Sequence, residues 1–317
     1  KGQPRAFGRS ELGVDDARAE APRALALVEL EEDRVVAEKR MPNELPKILA
    51  LLAPWQDELV GVVVESTYNW YWLVDGLKAA GYKVHLANTS AIKKYEGLKH
   101  SGDEADARYL AHLLRLGILP TGTILEPEER ATRDLGRKRM QLVRSRTTHI
   151  LAVENITARQ YGARISSAQV QRLTEDAIDQ MAMPEDVALA VKANVSVIQT
   201  LSAQIELIER RLQERVKVRA DYGLLTSVPG IGRILATTIL LETGPIDRFA
   251  SVGHFASYAR CVDSQRISNG KKKGEGNTKN GNNTSPGPLL RRRTLRCVTA
   301  RRPSASTSGR SRRRTMS

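Results

Sequence analysis

Cysteine is scarce in this 317-residue chain, with Cys261 and Cys297 the only two. Two thiols give no disulfide framework and build no metal cage by themselves, so a reducing cytoplasm is the expected setting. No uninterrupted apolar run approaches the roughly 20 residues that a bilayer-crossing helix needs, and no membrane partner is expected. The amino terminus has neither the apolar core of a signal peptide nor an initiating Met, which reads as a fragment or the product of a partial gene. Lysine, aspartate and glutamate are all missing from residues 283–317, where ten arginines carry ten of the chain's fourteen net positive charges. Without that stretch the chain is only mildly basic. What is present is ample core material, 41% hydrophobic, at a length that fits about two domains. A net charge of +14 points to a polyanion, nucleic acid ahead of an anionic membrane.

Residues 24–30 and 34–39 read as short strands joined by an acidic turn, and 45–52 as a helix running into Pro54. The small and β-branched run at 61–64 predicts a buried strand that ends on a carboxylate, Glu65. Ser66 and Thr67 are capping types, and Tyr68, Trp70, Tyr71 and Trp72 open a helical pattern that reaches Ala80. A strand at 83–87 and a short helix at 92–98 follow. Strands alternating with helices predict an α/β layer. From Asp103, an apolar stripe through Ala107, Leu110, Leu113 and Leu114 predicts a helix ending near Gly117.

Two long helices are expected at 128–158 and 186–218, with apolar spacing that suits an antiparallel coiled coil. The first carries Arg133, Arg137 and Arg144 at i, i+4 and i+11, roughly on one face. That face serves either as the solvated side of a spacer or as a nucleic-acid contact. Pro229-Gly-Ile-Gly232 separates two helical stretches. It is either a helix-hairpin-helix turn, with Gly230 and Gly232 leaving backbone N–H groups open to a phosphate, or an ordinary helical-hairpin turn. A helix is expected at 251–258. Residues 261–282, rich in Gly, Asn and Lys, read as a flexible polar loop. The stretch from 283 has the Arg, Pro, Ser and Ala bias of a shifted GC-rich reading frame, which is favoured over a disordered arginine-rich arm.

Asp103 and Asp106 stand three residues apart at a helix start and so share a face. Together with other converging carboxylates they would bind Mg²⁺, a hard cation that prefers oxygen ligands. Helix-end electrostatics explains acids there equally well, and Glu65 has the plain alternative of a solvated strand end. In order, Gly13-Val-Asp15, Val62-Val-Val-Glu65 with Thr67-Tyr-Asn-Trp-Tyr-Trp72, and Asp103-Glu-Ala-Asp106-Ala-Arg108 resemble the DEDD carboxylate set of the IS one-ten family of bacterial insertion-sequence transposases. The likeness continues through Pro229-Gly-Ile-Gly232 to Arg266-Ile-Ser268-Asn-Gly-Lys271 and covers roughly residues 13–282.

The resemblance implies an RNase H-like, resolvase-like α/β domain over residues 1–125, a long helical coiled-coil insertion over 126–220, and a mostly α domain with a helix-hairpin-helix-like motif over 221–282, followed by the arginine-rich stretch 283–317. It implies a DNA recombinase guided by a bridge RNA, acting on donor and target DNA as a homodimer that assembles to a tetramer in the bacterial cytoplasm. Asp15, Glu65, Asp103 and Asp106 would hold Mg²⁺, and Ser268, from another subunit, would attack DNA phosphorus. Lys271, Lys272 and Lys273 would neutralise phosphate beside it. Ser264 is the rival nucleophile, less favoured because glycine and lysine follow Ser268. Three departures stand out. No apolar strand precedes Asp15, and Asp16 competes with it. The stretch after 282 lacks the family's closing leucine- and alanine-rich helix, which supports a shifted frame; the carboxy-terminal domain would then be incomplete, and the activity of this copy is left open. The missing Met fits a partial copy. The alternatives are a metal-dependent junction nuclease and a nucleic-acid-binding remnant.

Overall fold

The alternation of short apolar strands with helices builds the first of two compact units, Lys1–Ile124; the second is Leu125–Ser317. The computed structural model describes residues 23–28, 35–66, 69–92, 102–262, 266–274 and 281–282, with the backbone alone at 23–28, 266–268 and 272–274. Asp15, Asp16 and Ser264 lie outside the described residues, as does the stretch from 283.

In the first unit, β1 (Arg23–Val28) and β2 (Val35–Met41) form an antiparallel hairpin with Arg23 opposite Met41. A second sheet pairs β3 (Val62–Glu65) in parallel with β4 (Val84–Ala87), and β5 (Thr121–Gly122) lies antiparallel on β4. The pleat sorts the side chains of the parallel pair. Val62, Val64, Val84 and Leu86 pack with Ile48 and Leu52 of α1 (Leu45–Leu52) and with Val74 and Leu77 of α2 (Tyr71–Ala79). Val63 and Ala87 turn the other way, into a smaller cluster with Leu110 and Leu113 of α3 (Asp103–Arg115). Both faces of the pair are covered, as parallel strands require. Helices α1 and α2 approach closely at Gly76, where a Cβ would fall 2.3 Å from Leu45 Cδ2. Of the helix expected at 92–98, only Ile92 is described, after a single 3₁₀ turn at Thr89–Ala91.

The second unit is built on two long helices, α4 (Pro127–Tyr161) and α7 (Glu185–Val216). Helix α4 starts on Pro127 with Glu128 and Glu129 in its first turn and stops at Gly162, whose φ of 68° is left-handed. The two helices run antiparallel, because Arg139 pairs with Glu209, Arg146 with Ser202 and His149 with Asn194. On α7 the buried positions Val191, Val195, Ile198, Ile205, Leu212 and Val216 follow a three–four spacing. Ser202 and Glu209 occupy the two positions of that spacing with no buried apolar side chain. Between the long helices, α5 (Ser167–Val170) and α6 (Glu175–Asp179) add Val170 and Ile178 to the core around Ile150 and Val153.

Helices α8 (Ala220–Ser227), α9 (Arg233–Thr243) and α10 (Val252–Tyr258) follow. Leu212 and Val216 of α7 pack with Leu240 and Leu241 of α9, against Leu135 of α4 and Tyr222 and Leu225 of α8. Residues 261–282, expected as a loop, instead contain a β-hairpin, β6 (Arg266–Ser268) and β7 (Lys271–Gly274). Its two turn residues, Asn269 (φ 52°) and Gly270 (φ 71°), are both left-handed, the combination that matches strand twist in a two-residue hairpin. The described chain is thus mostly helical with a small mixed sheet. No helix among the described residues is long and apolar enough to cross a membrane.

Candidate functional site

Glu65 is the last residue of β3, in register with Ala87, and the next amide, Ser66 N–H, donates to Ala87 O at 3.2 Å. Strand alternation puts Glu65 on the same face as Val63, the face that α3 covers. On α3, Asp103, Asp106, Leu110 and Leu113 succeed one another at helical spacing, and the last two are buried against that face. The two aspartates therefore continue, towards the helix start, the stripe that sits over the sheet carrying Glu65.

The first turns of α3 are also tied to β2. Arg40 Nε donates to Glu104 Oε1 at 2.7 Å, and its terminal nitrogen lies 3.4 Å from Asp103 Oδ2. Arg108 reaches back to Glu38 with both arms of its guanidinium, at 2.8 and 2.5 Å. The Arg108 hydrogen bonds hold the Glu38 carboxyl below its ordinary range. Hydrogen bonding to Glu104 and to Glu38 raises Arg40 and Arg108 in turn. Sequence reasoning did not single out Arg40, Glu38 or Glu104, because nothing in their spacing relates residues more than 60 positions apart.

The donor set suits a hard divalent cation in kind, since carboxylate oxygens are what Mg²⁺ prefers. In number it falls short: among the described residues no three His, Cys, Asp or Glu side chains gather closely enough to hold a metal ion. Asp103 leans on Arg40, and Asp15 is outside the described residues.

In the second unit, Ser268 ends β6 and pairs with Lys271 across the hairpin turn, where Asn269, Gly270 and Lys271 are exposed. Lys272 and Lys273 continue along β7. Pro229 and Gly230 are the central residues of a turn closed by Ile231 N–H to Val228 O at 3.0 Å, and Gly230 has the φ of 91° that a type II turn demands. Gly232 precedes α9 in extended geometry with no side-chain cap.

The three arginines read as one basic face do not share an environment. Arg144 is exposed, whereas Arg133 is only 16% exposed at its side chain and lies 3.9 Å from Asp134. Arg137 donates to both oxygens of Glu242 at 2.8 Å. The cause is α9, which packs on this side of α4 with Leu241 Cδ1 3.1 Å from where a Cβ on Gly136 would sit. Glu242 is buried and also accepts from Asn282, at the end of the stretch whose composition predicts a flexible loop.

Two family models match the chain. One, described as Transposase IS116/IS110/IS902 family, matches residues 222–285. The other, a DEDD-type IS110 transposase model, matches residues 21–157. Ser268 and Asn282 fall within the first match, and Glu65, Asp103 and Asp106 within the second, which begins after Asp15. A protein of Pseudomonas aeruginosa described as "Probable family 20 transposase" is 26% identical over 212 residues, 64% of this chain and 61% of that protein.

Proposed function

Since the chain belongs to the IS116/IS110/IS902 transposase family, we propose that it is a DNA recombinase that cuts and rejoins strands through a phosphoserine intermediate at Ser268. The observation that carries this reading is Ser268 at the end of β6, next to the exposed turn residues Asn269 and Gly270 and within the matched stretch, in a chain whose α/β unit bears Glu65, Asp103 and Asp106 on one side of its sheet. Attack of the Ser268 hydroxyl oxygen on a DNA phosphorus forms a serine–phosphate ester and breaks one backbone P–O bond. The hydroxyl proton passes to a base, and the displaced sugar oxygen takes one up. An incoming strand's hydroxyl then attacks the same phosphorus, which restores the serine and joins the new strand. The phosphodiester energy is retained in the ester, so rejoining needs no ATP.

A serine hydroxyl is a poor nucleophile at neutral pH and needs assistance. Asp15, Glu65, Asp103 and Asp106 would hold Mg²⁺ only once drawn closer together than the described three stand, and the bound ion would then supply Lewis acidity and positive charge at the scissile phosphate. Lys271, Lys272 and Lys273 offset phosphate charge beside the serine. Gly230 and Gly232 frame the start of α9, where a helix amino terminus suits a DNA phosphate. The RNase H-like fold of the first unit, the coiled-coil pairing of α4 with α7, the bridge RNA and the composite site shared between subunits of a tetramer belong to the same reading.

Denaturing electrophoresis after incubation with donor and target DNA, Mg²⁺ and the flanking transcribed RNA tests it. A covalent protein–DNA adduct is expected, lost in Ser268→Ala and in Glu65→Gln, with the circular dichroism of both variants unchanged. Free nicked DNA that is indifferent to Ser268→Ala would make the chain a junction nuclease instead. RNA or DNA binding with no metal-dependent cleavage would make it a remnant.

A further inference from the structure

The segment that carries Ser268 leaves the helices after α10 and returns at Asn282, and its base is held by contacts that the proposed reaction does not use. The buried Glu242 carboxylate accepts both arms of Arg137 at 2.8 Å and Asn282 Nδ2 at 2.6 Å. Asn282 Nδ2 also lies 3.1 Å from Tyr258 Oη, which donates to the Glu242 carbonyl at 2.8 Å. The Asn282 backbone N–H donates to Tyr258 O at 2.8 Å. Beside it Gly281, with φ 87°, passes so close that a Cβ would meet Tyr258 O at 2.8 Å and Ser257 O at 3.0 Å. The Arg248 guanidinium covers the Tyr258 ring at 4.5 Å and is fixed in turn by Nε donation to Thr243 O at 2.8 Å. The outgoing chain turns off the same helix end, with Cys261 N–H on Ala256 O at 2.8 Å.

We infer that Glu242 and Asn282 are positioning residues: the Glu242 carboxylate, charge-balanced by Arg137, holds Asn282, and Asn282 ties the returning end of the Ser268-bearing segment to Tyr258, at the helix end from which the segment departs, which confines the serine. The inference rests on the recombinase reading only for its effect on rate. A segment closed at both ends samples far less volume than one tethered at a single end, so closing its base raises the fraction of time in which the serine is correctly presented. The network also has the chemistry of a lock. Asn282 donates where two acceptors, Glu242 and Tyr258, converge, so an acceptor in its place meets a buried carboxylate and opens the base.

Hydrogen exchange of the full chain, read together with adduct formation, tests this. In Asn282→Asp, amides of 266–274 are expected to exchange roughly tenfold faster or more while α4 and α7 keep their protection. Adduct formation at saturating DNA should slow about tenfold with DNA affinity unchanged, as for a lost positioning contact. Glu242→Gln keeps the side-chain size and an acceptor for Asn282 but loses the counter-charge to Arg137, and it should fall between Asn282→Asp and the wild type. Exchange at 266–274 equal to wild type in either variant overturns the inference. So does loss of protection throughout α4, α7 and α9 in both, because the contacts would then hold the whole unit. If the wild-type chain forms no adduct, the recombinase reading fails, and the exchange measurement still decides whether the base is clamped.

Discussion

Gly281 combines a left-handed φ of 87° with a space too small for a methyl group, since Tyr258 O, Ser257 O and Arg260 Cγ all lie within 3.0 Å of a Cβ built there. Gly281→Ala is therefore expected to cost about 1–3 kcal/mol, the usual range for a forced backbone conformation. Urea unfolding checks it, and an unchanged midpoint would contradict the geometry. His85 on β4 is constrained by burial instead. Its ring packs 2.9 Å from where a Cβ on Gly61 would be, and burial, with Lys83 nearby, lowers its pKa below the ordinary 6.5. Protonation is thus easier in the unfolded chain. The stabilising contribution of neutral His85 is complete above pH 6.5 and is lost as the pH falls through the lower, folded value. Melting of the wild type between pH 7.5 and 5 should show this loss, and His85→Gln should remove that part of the slope. If the variant keeps the wild-type slope, His85 is not its source.

At the scale of elements, α4 and α7 depend on two polar positions inside an otherwise apolar seam. Arg139 is 18% exposed and Glu209 30%, and they bond at 2.7 Å. Removing one partner strands the other half-buried charge, whereas replacing both with apolar groups removes the problem. Arg139→Leu alone is expected to be less stable than the double variant Arg139→Leu/Glu209→Leu, as read by thermal melting of all four corners of the cycle. A double variant as unstable as the single ones would refute this. The long helices were legible because three–four spacing persists over many turns, and α1, β3 and β4 because short apolar runs were bounded by turn residues. Helices α5 and α6 were not, at four and five residues, too short for periodicity to register. A clear signal for the β6–β7 hairpin was present in Asn269-Gly270, but it was masked by the polar Lys- and Gly-rich sequence around it. The strand-end place of Glu65 follows from local pattern, and its side of the sheet from period two. The commitment of Arg137 to Glu242 could not be foreseen, because the partner is 105 residues away and only the packing of α9 on α4 brings them together.

Across the whole molecule, the acids Glu65, Asp103 and Asp106 belong to one compact unit and Ser268 to the other, while most of the net charge lies in neither site. Ten of the fourteen net positive charges sit in residues 283–317, so removing that stretch leaves a chain with a net charge of about four. Counterion release links charge to DNA binding in a measurable way: the logarithm of affinity falls against the logarithm of salt with a slope near −0.9 per phosphate neutralised. If the arginines contact the DNA backbone, ending the chain at residue 290, ahead of the first of them, should flatten that slope by several units, up to about nine, and weaken binding most at low salt. The residues proposed for chemistry are retained, so the shortened chain at saturating DNA should still form the Ser268-dependent adduct at the rate of the full chain. Equilibrium titrations of both chains with duplex DNA between 50 and 200 mM salt, the range over which phosphate contacts lose affinity steeply, decide the first point. Equal slopes would mean that the arginine-rich stretch does not touch DNA, and that affinity comes from Arg144, Lys271 and other exposed cations of the folded units.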